Sequence, residues 1–375
     1  GWKMSCTPPL WSIMHPALLP LIFKRGQKEV RNRCVLAALT NKQSPDNGML
    51  SEEEHRWLEK RAIGGFGIVT TAAPNVTKDG QGWTGEMGVW SDEHIPRLSK
   101  LADDLHQHGA LSLVQLFHGG MRAPQSITGV QPMTASETPL NAEDEDTARA
   151  MTSSEIEQTI EAFADSARRC EQAGHDGVEL HGAHGYLIAQ FMTARANRRT
   201  DQWGLADDRI AFLRAITQRV RESTGPNFLV GVRLSPKLPQ LDFTLADALK
   251  VLDASLDLEL DFIHLSCWNI TEEGEHNGRQ RPYTEWYAER MDGLMPLITT
   301  GTVWTRDDAA RALEQGADLV GVGRVGIGHP NWPKLLADTS VEIQKPPFSE
   351  KHLSQAGLSP VFIEYMKRWT DFVAQ

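Results

Sequence analysis

Residues 178–204 read VELHGAHGYLIAQFMTARANRRTDQWG. A short apolar strand ends here in two histidines and a tyrosine, His181, His184 and Tyr186. A polar cluster follows directly: Asn197, Arg198, Arg199, Asp201 and Trp203. In parallel α/β barrels the chemistry collects at the C-terminal ends of the strands, and this strand exit has that character. One histidine near a strand end is usually a satisfied polar residue. Three ring side chains able to handle protons, at one exit and beside a basic cluster, point to an active site.

Outward from this stretch, eight short apolar or β-branched runs recur. They cover residues 33–39, 67–72, 110–117, 177–181, 228–234, 261–266, 295–300 and 317–323. Most are continuously apolar, as strands covered on both faces are. Helical patterns lie between them at 51–62, 154–173, 208–222, 244–252 and 305–315. Ser51 with Glu54 reads as a capping box, and Gly174 stops the third-strand-to-fourth helix. Three junctions, RAIGGFGI (61–68), EQAGHDGV (171–178) and EQGADL (314–319), place glycine between a helix and the next strand. The alternation predicts a (β/α)₈ TIM barrel in one domain over residues 1–375, with the barrel proper at about 21–335. A doubly wound open sheet is the rival. Residues 118–152 read as a long loop after strand three, and 341–375 as a polar linker and a closing helix begun by Ser359-Pro360.

Composition narrows the partners. The 38 basic and 49 acidic residues give a net charge of −11, which argues against nucleic acid or an anionic membrane as main partner. No uninterrupted apolar run long enough for a membrane span occurs. The apolar N-terminus lacks a basic region and is broken by prolines, so a signal peptide is not expected. Cys6, Cys34, Cys170 and Cys267 are scattered without metal-ligand spacing, so no metal site is expected and a reduced, cytoplasmic setting fits. A small-molecule substrate is the expected partner, and self-association is left open.

The strand ends can be taken in order. The first presents Ala38, Leu39 and Thr40, the second Ala72, the third Gln115, and the fifth Arg233. Small residues at the first two leave room for a flat ring. Gln115 suits a lactam edge, and Arg233 supplies fixed positive charge. Thr300, Gly301, Gly323 and Arg324 close strands seven and eight, where barrels commonly bind phosphate. Trp268 is a rim aromatic after strand six, and Tyr283 and Trp286 are candidates for a lid.

These blocks together resemble the old yellow enzyme family of FMN-dependent ene-reductases. The match runs from about Leu21 to Pro333, through NRCVLAALTN (32–41), NGMLSEEEHRWLEKRAIGGFGIVTTAA (47–73), VQLFHGG (114–120), the 178–204 block, VGVRLSP (230–236) and ITTGTVW…GADLVGVGR (298–324). The resemblance implies bound FMN and NADH or NADPH as reductant. Ala38, Leu39, Thr40, Ala72, Gln115 and Arg233 would hold the flavin ring, and Thr300, Gly301, Gly323 and Arg324 its phosphate. His181 and His184 would bind the substrate carbonyl, His181 beside the cofactor, and Tyr186 would donate the proton as hydride reaches the β-carbon of an α,β-unsaturated carbonyl compound. The sequence departs from the family pattern at Ala38, often proline; at Thr71, often acidic; at Thr40, sometimes cysteine; and at Lys42, often aromatic. A flavin dehydrogenase or demethylase on the same fold is the alternative, as is a phosphate-binding barrel without redox activity.

Overall fold

The computed structural model describes residues 14–141 and 145–375; Cys6 and the N-terminal tryptophans lie outside them. Each of the eight apolar runs gives one strand of a closed parallel barrel. The strands are β1 (Cys34–Leu36), β2 (Ile68–Thr70), β3 (Leu111–Leu116), β4 (Gly177–Gly182), β5 (Leu229–Leu234), β6 (Phe262–Ser266), β7 (Leu297–Thr300) and β8 (Leu319–Val322). Val320 pairs with Cys34 to bring β8 back to β1. The chain is thus a (β/α)₈ barrel and not an open sheet.

Strand side chains alternate with period two, so inward residues stack in layers. The lowest layer is apolar: Val35, Ile68, Leu113, Leu229, Phe262, Ile298 and Leu319 form one buried cluster. Two residues further along the strands, the same inward face carries Gln115, Glu179, His264 and Thr300. Two further again, it carries His181, Arg233 and Ser266. The polar chemistry therefore lies in the upper half because the strands are apolar only at their beginnings. A short antiparallel hairpin, Leu21–Phe23 with Lys28–Val30, turns at Gly26 (φ 65°) and Gln27 (φ 49°). Its Phe23 and Val30 join the lowest layer and close the N-terminal end of the barrel.

The barrel helices are α1 (Glu52–Ile63), α2 (Ile95–Gln107), α3 (Ser153–Gln172), α4 (Ala211–Ser223), α5 (Leu245–Ser255), α6 (Tyr283–Met291) and α7 (Arg306–Glu314). Complete capping boxes start α3 (Thr152, Glu155), α5 (Thr244, Asp247) and α7 (Thr305, Asp308). At α1 only half of the expected box forms. Ser51 accepts from the Glu54 N–H at 3.0 Å, but the Glu54 carboxyl turns inward and accepts from Ser44 Oγ at 3.1 Å. Gly174 (φ 97°) and Gly316 (φ 111°) end α3 and α7 in the left-handed region that glycine tolerates.

The stretch expected as a loop after β3 carries its own small sheet. Met133–Thr134 pairs with Arg149–Ala150, and Thr138–Pro139 pairs with Thr147–Ala148. The closing helix forms at Pro360–Met366 with Ser359 as its cap, preceded by a second short helix, Glu350–Gln355. Among the described residues no helix is long and apolar enough to cross a membrane.

Candidate active site

The exit of β4 is shaped by two consecutive left-handed residues, His184 (φ 61°) and Gly185 (φ 78°). A histidine there is uncommon, and its neighbours hold it. The His184 N–H donates to Ser235 Oγ at 2.9 Å, and His184 Nε2 meets Ser266 Oγ at 2.7 Å. This turn brings the three expected rings together. The His181 and His184 centroids lie 5.0 Å apart, and His181 and Tyr186 4.9 Å apart. Phe117 packs against Tyr186 at 4.6 Å. The Arg122 guanidinium sits 4.2 Å from the centre of the phenol ring.

The protonation states follow from these surroundings. His181 Nδ1 accepts from the Ala183 N–H at 3.3 Å, so the neutral ring carries its proton on Nε2. Burial, then His184, Arg233 and Arg122, hold His181 well below the ordinary histidine range. Burial, Arg233 and Arg122 act on His184 in the same direction. His184 lies deep in the protein yet opens onto the cleft, so solvent screens this effect until a ligand fills the cleft. Burial raises the Tyr186 phenol, with Arg122 opposing.

The polar cluster after β4 has a different use from the one its composition suggested. Asn197 donates to the carbonyls of Phe191 (2.7 Å) and Trp203 (2.8 Å). Arg199 donates to those of Ala135 (2.9 Å) and Met151 (2.6 Å) and pairs with Asp201. Arg199 thereby fastens the small sheet after β3 to the barrel, while Asn197 ties together the segment that follows β4. Gln190, absent from the sequence reading, also fastens that sheet, from the helix after Tyr186. Its amide meets Gly119, Gly185, Met121 and Thr134.

Among the other expected residues, Ala72, Gln115 and Arg233 are buried at the strand ends, while Ala38, Leu39 and Thr40 are partly open to the cleft. Gln115 donates to Glu179 at 3.3 Å. The Thr300 hydroxyl turns into the barrel to His264 Nε2 at 2.5 Å, so its side chain is engaged away from the rim. Arg324 is exposed, its guanidinium 5.9 Å from the Trp268 ring and 6.0 Å from that of Trp369. Trp268 is a rim residue, 79% exposed. Tyr283 and Trp286 form no lid. Both are buried on α6, and Trp286 Nε1 donates to the Gly274 carbonyl at 2.9 Å.

Besides Gln190 and Arg122, three residues of the site or its support have no counterpart in the sequence reading. Glu179 and His264 sit within apolar strands. Tyr365 comes from the last helix, where Lys42 lies 5.2 Å over its ring. One group far from the site could in principle hold a metal: His55, Glu59 and Asp104, on α1 and α2. His55 Nδ1 has no acceptor among the described residues, so the ring proton belongs on Nε2, which donates to Asp104 at 2.7 Å. That is an interhelical hydrogen bond, and a bound metal would leave a buried N–H unpaired.

A barrel whose rim gathers two imidazoles, a phenol and a buried guanidinium suits an oxidoreductase that works beside a flat, anionic cofactor. The chain belongs to the NADH:flavin oxidoreductase / NADH oxidase family, whose model matches residues 20–340. It is 36% identical over 324 residues to the probable NADH-dependent flavin oxidoreductase YqiG of Bacillus subtilis, covering 84% of this chain and 86% of that protein. It is 32% identical over 335 residues to an NADH:acrylate oxidoreductase of Vibrio harveyi, covering 85% of this chain but only 33% of that longer protein. Among solved structures, the old yellow enzyme homologue from Zymomonas mobilis superposes with a TM-score of 0.76 at 26% identity, over 92% of this chain and 96% of that one. Morphinone reductase superposes equally well, with a TM-score of 0.76 at 26% identity over 91% and 94%.

The protein is therefore an NAD(P)H-dependent flavin oxidoreductase with FMN as its cofactor. The residues present fit that group. Arg233 is buried with an Nε that has no partner among the described residues, and it faces the same interior as Gln115.

Proposed function

We propose that this enzyme reduces the activated C=C bond of α,β-unsaturated carbonyl compounds at the β4 exit. The observation that carries this reading is the placement of the His184 and Tyr186 rings 5.0 Å and 4.9 Å from that of His181, where burial lowers the His181 imidazole and raises the Tyr186 phenol. The names of relatives support it, since one reduces acrylate and another morphinone by name.

Ala38, Leu39, Thr40, Ala72, Gln115, His181 and Arg233 would hold the FMN ring, and Gly301, Gly323, Arg324 and the Thr300 backbone its phosphate. Bound FMN supplies the hydride that the substrate receives at Cβ. His181 Nε2–H donates to the substrate's carbonyl oxygen. In the tautomer whose Nε2 accepts from Ser266, His184 carries its ring proton on Nδ1, which would be the second donor. Both bonds strengthen as negative charge gathers on that oxygen. The Tyr186 O–H then gives its proton to Cα, completing a second C–H bond. Arg122, over the phenol ring, offsets the charge left on the oxygen until solvent returns the proton.

The test separates the two half-reactions. Under anaerobic conditions, NADH or NADPH should bleach the flavin spectrum, and 2-cyclohexenone should restore it. A flavin that bleaches but reoxidises only with oxygen would keep the cofactor and overturn the substrate class.

A further inference from the structure

We propose that Glu179 is a positioning residue which, with His264 and Thr300 behind it, aims the Gln115 amide at the flavin and balances the charge of Arg233. The network would thereby set the cofactor's redox potential. This rests on the flavin-holding roles proposed for Gln115 and Arg233.

Glu179 is almost wholly buried, in the middle of β4, two residues below His181 on the same inward face. Gln115 Nε2 donates to its Oε1 at 3.3 Å, and His264 Nδ1 lies 3.0 Å and 3.1 Å from its two oxygens. A carboxylate only accepts hydrogen bonds, so Nδ1 must carry the His264 proton. In the neutral ring Nε2 is then an acceptor, and the Thr300 hydroxyl donates to it at 2.5 Å. Each orientation is forced by the one before it. The chain of bonds links β3, β4, β6 and β7 and leaves Gln115 with its carbonyl free. That carbonyl can meet a ring N–H of the flavin edge, whereas a flipped amide could not.

One glycine makes room for the network. A Cβ on Gly321 of β8 would overlap Thr300 Oγ1 and lie 3.2 Å from His264 Nε2. Interior space at this position is therefore kept for these side chains.

The charges balance in the same place. Burial opposes ionisation of Glu179, but the hydrogen bonds from His264 and Gln115 and the charge of Arg233 hold its carboxyl below the usual range. Burial lowers the His264 imidazole, with Glu179 opposing and Arg233 adding to the lowering. Glu179 is thus the anion set against Arg233, which pairs across the sheet with His181 and His264. An interior arginine without it would stabilise the reduced, more negative cofactor further. Glu179 moderates that field and so keeps the reduced enzyme willing to pass electrons on.

The experiment is potentiometric titration of the FMN-loaded enzyme against a reference dye, with FMN affinity from fluorescence quenching. E179Q should raise the midpoint potential, shifting the equilibrium about tenfold toward reduced flavin, or about 30 mV for a two-electron couple. E179D retains the charge and should return the equilibrium to within about threefold of wild type. T300V, which is isosteric and removes the last donor, should shift it in the same direction by less, and it carries the test if E179Q does not fold. A folded E179Q or T300V with lower thermal stability and an unchanged potential would reduce Glu179 to a packing role and overturn the proposal. Failure of the underlying reading looks different: Arg233→Ala and Gln115→Ala would bind FMN as tightly as wild type.

Discussion

Tyr186 shows how one residue's function depends on its immediate neighbours. A phenol at the end of a strand could serve packing alone, but here Phe117 and Arg122 pack against it and burial keeps it protonated. Tyr186→Phe removes the oxygen and retains the ring packing. It should slow flavin reoxidation by 2-cyclohexenone roughly 10²-fold or more while leaving reduction by NAD(P)H within about twofold, as expected for loss of a general acid in one half-reaction. Stopped-flow measurement of each half-reaction checks this; equal slowing of both would exclude Tyr186 as the proton donor. At this scale the sequence was informative because His181, His184 and Tyr186 are neighbours in the chain. Glu179 and His264 were harder to see. Each is a polar residue inside an apolar run, VELHG and FIHLS, and only the period-two register shows that both point inward to each other. Tyr365 could not be read at all, since its contact with Lys42 spans most of the chain.

Among elements, strand starts and strand ends follow different rules. The starts are apolar and close-packed, and this made all eight strands legible as runs of β-branched and aliphatic residues. The ends carry small residues wherever a neighbouring side chain needs space. Gly321 is the clearest case, because any Cβ there displaces Thr300 from His264. Gly321→Ala should destabilise the fold by about 1–3 kcal/mol, the usual penalty for overfilling a packed interior. Chemical denaturation would measure it, and an unchanged midpoint would mean that Thr300 moves aside at no cost. The segment after β3 was read as a loop because its strands are two to four residues long and lack a clear alternation. What orders them is supplied from elsewhere, by Gln190 and Arg199. The hairpin at Leu21–Val30 escaped notice for a similar reason: its strands have three residues each, and its apolar side chains belong to the barrel's core.

The whole molecule carries its buried charges with a definite pH signature. Glu54 is buried between α1 and the β1 exit, and burial pushes its carboxyl up to about 7. In the unfolded chain a glutamate ionises near 4.3. The folded state therefore binds this proton more tightly, a contribution fully present below about pH 4.3 and lost as the pH rises through about 7. Glu54→Gln cannot ionise. Relative to wild type it should gain roughly 3 kcal/mol of stability between pH 4 and pH 8. Urea denaturation at the two pH values measures the gain, and a mutant that tracks wild type at both would mean that Glu54 ionises normally.

The hairpin that closes the N-terminal end of the barrel has a kinetic consequence. With Phe23 and Val30 seated in the lowest apolar layer, that end of the barrel is closed, and the rim where His181, His184 and Tyr186 stand is the opposite end. On the function proposed above, nicotinamide and alkene would share that rim and each would have to leave before the other enters, so that an excess of either would obstruct the other.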